Sequence, residues 1–93
     1  MKFEWDSRKA EANKLKHGVD FTDAITVFDD RLAATVIDPD HTVDERRFIT
    51  IGYSLGGSLL FVCHVDRGET VRLISARQAT ARERRNHEEK TRG

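Results

Sequence analysis

The chain has 93 residues, enough for one small domain but not two, so residues 1–93 read as a single domain. With 38% hydrophobic and 34% charged residues and one proline it reads as globular rather than disordered, and no apolar run approaches the roughly 18–20 residues that span a bilayer. Formal net charge is zero, yet residues 1–45 carry 6 Lys/Arg against 11 Asp/Glu and residues 46–93 carry 10 against 5. That split is either a solvated surface with accidental asymmetry or a dipolar domain with one basic working face.

In chain order, Phe3-Glu4-Trp5 alternates as a short strand, and the charges of Met1 to Asp6 do not suit a signal peptide. Asp6 can cap a surface helix from about Ser7 to Lys16, ended by Gly18. A second helix from about Thr22 to Phe28 places Phe21, Ala24, Ile25 and Phe28 toward a core. A strand over Ala33–Asp38 is ended by Pro39, and 39–45 reads as an acidic loop. Arg47–Tyr53, Ser58–Val65 and Thr70–Arg77 then form an antiparallel meander, with turns at 54–57 and 66–69. A terminal helix from about Ala81 to Lys90 opens on a capping box, Thr80 with Glu83. The class is α+β.

If both turns are simple four-residue loops, Tyr53 faces Ser58 and Val65 faces Thr70. One sheet face then holds Arg47, Ile49, Ile51, Tyr53, Leu60, Val62, His64, Leu73, Ser75 and Arg77. The other, with Phe48, Leu59, Phe61, Cys63, Val65, Arg72, Ile74 and Ala76, is the more apolar and is assigned to the helices. In this register Arg47 and Arg77 stand about six residues apart, roughly 20 Å at about 3.3 Å per residue. They cannot clamp one phosphate, and an extended groove touching several phosphates is the better expectation. A bulge in either turn swaps the faces.

The lone Cys63 cannot form an internal disulfide and reads as a small core residue in a reducing cytoplasm. His17, His41, His64 and His87 are too scattered for a local metal site, and no phosphate-binding glycine loop or nucleophile elbow is present. No cofactor is expected. The arginines of Arg72 to Arg77 and Thr80 to Arg85 do suit phosphate, because the planar guanidinium matches its oxygens two at a time. RNA can be cut without metal, since its 2′-hydroxyl is the nucleophile and the protein supplies cations and proton transfer. Arg47, Arg67, Arg72, Arg77 and Lys16 are candidates for the cations, and His17 or His64 for the proton. Each also has a structural reading: Arg72 as an ion-pair partner, Arg67 as a solvated turn residue, His64 as a hydrogen-bonded strand residue, Lys16 and His17 as cations at a helix C-terminus.

Phe3-Glu4-Trp5-Asp6, Lys9, Asn13, Lys16-His17-Gly18-Val19, Glu45 with Arg47-Phe48, Ile51-Gly52, Arg67-Gly68, Arg72 through Arg77, Ala79-Thr80 and Glu83-Arg84 together resemble the BrnT toxins, in order and spacing over nearly the whole chain. The resemblance implies a RelE-like α+β fold, ribonuclease activity that stalls translation, and neutralisation by a BrnA-type antitoxin. His87 departs from it, where the family pattern has a tyrosine. The site expected is Arg47, Arg67, Arg77, Lys16 and His17 as catalytic groups, with Arg72, Arg82 and His64 contacting RNA. The alternatives are a non-catalytic nucleic-acid-binding or regulatory module, and a scaffold that binds only protein. The apolar residues beside the arginines further imply that an antitoxin segment covers that face, and that the chain self-associates without it.

Overall fold

The computed structural model describes residues 1–40 and 46–92; most of the acidic loop, with His41 and Glu45, lies outside the described residues. Strand β1 is Lys2–Glu4. Asp6 caps helix α1, Ser7–His17, accepting from the amides of Arg8 and Lys9, and Gly18 ends it in the left-handed conformation at φ 71°. Helix α2 is a single turn, Phe21–Ala24, continued by a 3-10 segment, Ile25–Asp29. Four strands follow where expected, β2 Ala34–Ile37, β3 Arg47–Tyr53, β4 Leu59–Arg67 and β5 Thr70–Gln78, the last three forming the expected meander. Helix α3, Ala81–Thr91, opens on the expected Thr80–Glu83 capping box. Among the described residues no helix is long and apolar enough to cross a membrane.

The five strands form one mixed sheet in the order β1-β5-β4-β3-β2. All neighbours are antiparallel except β1, which runs parallel to β5. Val19, Phe21, Ala24 and Val27 pack against Leu60, Val62, Val71, Leu73 and Ala76. Phe3, Trp5, Ile25 and Phe28 close the rim of this core. At Gly52 a Cβ would lie 2.9 Å from both Ala33 Cβ and Val27 Cγ1, so this glycine lets the 3-10 segment settle directly on β3.

Because β1 pairs only with residues 70–72, the rest of β5 would be an open edge. Asn13, 6% exposed, closes it. Its amide donates to the Ala76 carbonyl at 2.9 Å and its carbonyl accepts from the Ala76 amide at 3.0 Å, as a neighbouring strand would. A further bond to Val19 O, at 3.1 Å, ties the end of α1 to the same point.

The register corrects the expected faces. The β3–β4 loop places Tyr53 opposite Leu59 rather than Ser58, a shift of one residue, with Gly57 at φ 88°. The β4–β5 turn is tighter than expected: Arg67 faces Thr70, with Gly68 at φ 61°. Cys63 faces Ser75 while His64 faces Leu73, so Ile74 is the extra residue of a bulge. Since side chains alternate, a one-residue slip moves Leu60, Val62, His64 and Leu73 onto the core face. Leu59, Phe61 and Cys63 join Arg47, Ile49, Ile51 and Tyr53 on the other. The helices also divide. α1 and α2 serve the core face and the β5 edge, whereas α3 lies over the end of the opposite face, where the Tyr53 hydroxyl donates to Glu88 at 3.0 Å and packs beside His87.

Candidate functional site

Three cross-strand rows floor the open face. They are Ile51–Phe61–Arg77, then Ile49–Cys63–Ser75, then Arg47–Val65–Arg72 continued by Glu4. Between them lies a groove of about 330 Å³, with Phe61, Cys63 and Ser75 on its floor and Arg47, Arg77, His17 and Asp38 at its margins. The positions of Arg47 and Arg77 correct the sequence expectation. They pair with Val65 and Phe61, so they stand four residues apart along β4, about 13 Å at about 3.3 Å per residue, and line one groove. A second concavity shares His17, Ile74 and Ser75 and runs on to Lys9 and Lys16 along α1. The anchoring of Asn13 on Ala76 is what sets this side of α1 beside the groove.

Arg77 is the most tightly built member. Its guanidinium lies over the Phe61 ring, 4.5 Å from the centroid. Its two terminal nitrogens donate to the two oxygens of Glu83 at 2.8 and 2.9 Å, a fork-to-fork pair. Glu83 Oε1 also accepts from the Thr80 amide at 2.9 Å, so one carboxylate completes the helix cap and holds the arginine. The Arg77 bond, then the cap, hold the Glu83 carboxyl down to about 2, far below its ordinary range.

Cys63 is half-buried on the groove floor rather than in the core. Burial, then the carboxylate of Asp38, 3.5 Å from its sulfur, push the thiol up to about 11. It is therefore a neutral donor at physiological pH and no nucleophile. Asp38 is 8% exposed and also accepts from the Asp40 amide at 2.9 Å.

The sequence-derived candidates thus separate. Arg47, Arg77 and His17 share the groove, and Lys16 lies in the adjoining concavity. Arg72 stands in the same row as Arg47 and pairs with Glu4 of the neighbouring β1 at 3.8 Å. Arg67 is exposed at the tip of β4, two residues beyond Val65 and on the same face. Arg82 is exposed on the first turn of α3.

His64 is corrected as an RNA-contacting residue. It is 2% exposed on the core face, with Phe28 edge-on and Phe48 stacked against it. Its Nε2 meets Thr50 Oγ1 and its Nδ1 meets Asp66 Oδ1, both at 2.7 Å, and Thr50 bonds onward to Thr35 at 2.8 Å. A satisfied polar chain of this kind pins strands together and leaves no donor for a ligand.

Sequence reasoning missed Phe61 because the one-residue slip placed it, with Cys63, on the wrong face; Ser75 stood on the right face without a role, and Asp38 gave no local sign of its contact with Cys63. Glu83 was visible only as a helix cap. Nothing local marks Asn13, whose partner is 63 residues away.

Comparison with known proteins matches this arrangement of strands and helices. The model of the family described as "Ribonuclease toxin, BrnT, of type II toxin-antitoxin system" matches residues 5–83. The fold is similar to the crystal structure of the Brucella abortus ribonuclease toxin BrnT, with a TM-score of 0.63 and 30% identity over 86% of this chain and 97% of that one. No curated protein sequence matches. With its open groove, and with a family match that runs from Trp5 through Glu83, the chain belongs to the BrnT family of ribonuclease toxins of type II toxin–antitoxin systems.

Proposed function

We propose that this toxin is a metal-independent RNA endonuclease of the cytoplasm, RelE-like in fold, that halts translation. The observation that carries the reading is the convergence of Arg47, Arg77 and His17 on one groove. In-line attack of a ribose 2′-oxygen on the adjacent phosphorus breaks the bond to the 5′-oxygen of the next nucleotide. Negative charge gathers on the phosphate oxygens as this happens. Arg47 and Arg77 neutralise it from opposite ends of the groove, and Phe61 offers an aromatic floor for a base. His17 moves the proton between the 2′-hydroxyl and the departing oxygen. Lys16, Arg72, Arg67 and Arg82 hold flanking phosphates.

A BrnA-type antitoxin neutralises the toxin by laying an acidic segment over this groove, against Arg47 and Arg77 and the half-buried Ile49, Ile51 and Phe61. Self-association in its absence uses the same surface. The apolar surface open there is smaller than the sequence suggested, because Leu60, Val62 and Leu73 belong to the core and α3 covers the end of the face. The test is expression in bacteria without antitoxin. Growth stops with the wild type and resumes with Arg77→Ala at equal soluble levels. Normal growth under confirmed soluble expression of the wild type contradicts the proposal. RNA binding with steep salt dependence but no cleavage favours the non-catalytic alternative.

A further inference from the structure

The five N–H donors of Arg77 can be assigned one by one. Nη1 donates to Glu83 Oε1 at 2.8 Å and to the Gln78 carbonyl at 3.2 Å, and Nη2 donates to Glu83 Oε2 at 2.9 Å. That leaves the Nε–H and the second Nη2–H, which have no partner among the described residues. These two are not scattered leftovers. They lie parallel on one side of the guanidinium and form its second fork, whose spacing matches two oxygens of one phosphate.

The rest of the cluster keeps that fork in place. Phe61 lies under the plane at 4.5 Å, which opposes tilting. Glu83 occupies the outer end, which opposes rotation of the guanidinium within its plane. Glu83 is itself fixed at the first turn of α3, accepting from the Thr80 amide at 2.9 Å while its own amide donates to Thr80 Oγ1 at 3.1 Å. A flexible arginine loses side-chain freedom when it captures a phosphate; one held on three sides has lost it already.

We infer that Glu83 is a positioning residue for RNA cleavage: it clamps the end of the Arg77 guanidinium so that the Nε–Nη2 fork is presented to a single phosphate in the groove. Glu83 acts through Arg77 and touches no substrate. The inference rests on the ribonuclease reading above.

Glu83→Gln separates this role from helix capping. Glutamine satisfies a capping box as well as glutamate does, but its single carbonyl oxygen cannot take both arms of the arginine fork. Thr80→Ala is the converse variant, weakening the cap while leaving the Arg77 clamp. The experiment follows cleavage of a random-sequence single-stranded RNA by the wild type, Glu83→Gln, Thr80→Ala, Arg77→Ala and the Arg77→Ala/Glu83→Gln double variant, with helix content checked by circular dichroism. The expected result is cleavage about tenfold slower in Glu83→Gln, near wild type in Thr80→Ala, and within about twofold of Arg77→Ala in the double variant, the non-additivity of groups that act as one unit. Wild-type or faster cleavage by Glu83→Gln overturns the inference, the faster case showing that Glu83 competes with phosphate. Additive losses in the double variant overturn it, as does a Thr80→Ala rate as low as that of Glu83→Gln. RNA left intact by the wild type overturns the ribonuclease reading and the inference together.

Discussion

Cys63 lines the groove and Glu83 holds one of its arginines, and the two are shifted in opposite senses for opposite reasons. Burial and a neighbouring carboxylate hold the thiol neutral up to about 11, while an arginine fork holds Glu83 charged down to about 2. Neither changes charge near neutral pH. The raised thiol has a direct consequence. A cysteine with its ordinary pKa of 9.0 is about a tenth thiolate at pH 8, whereas one at about 11 is roughly a thousandth, a hundredfold difference. Alkylation of the native protein by iodoacetamide at pH 8 should therefore run about a hundredfold slower than that of the urea-unfolded chain. Comparable rates would show that Cys63 lies outside the hydrogen-bonded floor described above.

Where α1 meets β5, one side chain does the work of a strand. Removing it in Asn13→Ala leaves the buried amide and carbonyl of Ala76 without partners. Each such loss costs about 1–3 kcal/mol, so urea denaturation should show the variant destabilised by about 3 kcal/mol; a loss below about 1 kcal/mol would mean that water replaces Asn13 without cost. This contact was beyond local sequence reading, although the elements it joins were not. Capping residues, glycine terminators and β-branched runs located α1, β2 to β5 and α3 to within a residue or two, because these signals are local; the second helix, expected to reach Phe28, is α-helical only over Phe21–Ala24 and 3-10 over Ile25–Asp29. Register is not local. It turned on whether the chain between Tyr53 and β4 held four residues or five, and on the extra residue at Ile74. A slip of one exchanged Phe61 for Leu60 on the working face and sent His64 from the site to the core.

Over the whole molecule, the charge asymmetry read from the sequence takes on a place: Arg47, Arg67, Arg72 and Arg77 stand on the open face of the sheet, and Arg82, Arg84, Arg85 and Lys90 on α3. The division of the sheet into a packed face and a face with a groove explains why the arginine candidates remained together while His64 did not. On the proposed reading the antitoxin and RNA share this surface, and neutralisation then needs no distant conformational change. The chemistry at that surface is tested most directly by incubating the purified protein with RNA in excess EDTA. Cleavage should persist undiminished, and Arg77→Ala should slow it about a hundredfold, the scale expected for losing one preorganised donor to the developing charge. Cleavage that disappears in EDTA and returns with added Mg²⁺, or that is unaffected by Arg77→Ala, would contradict a metal-free reaction carried by the groove arginines.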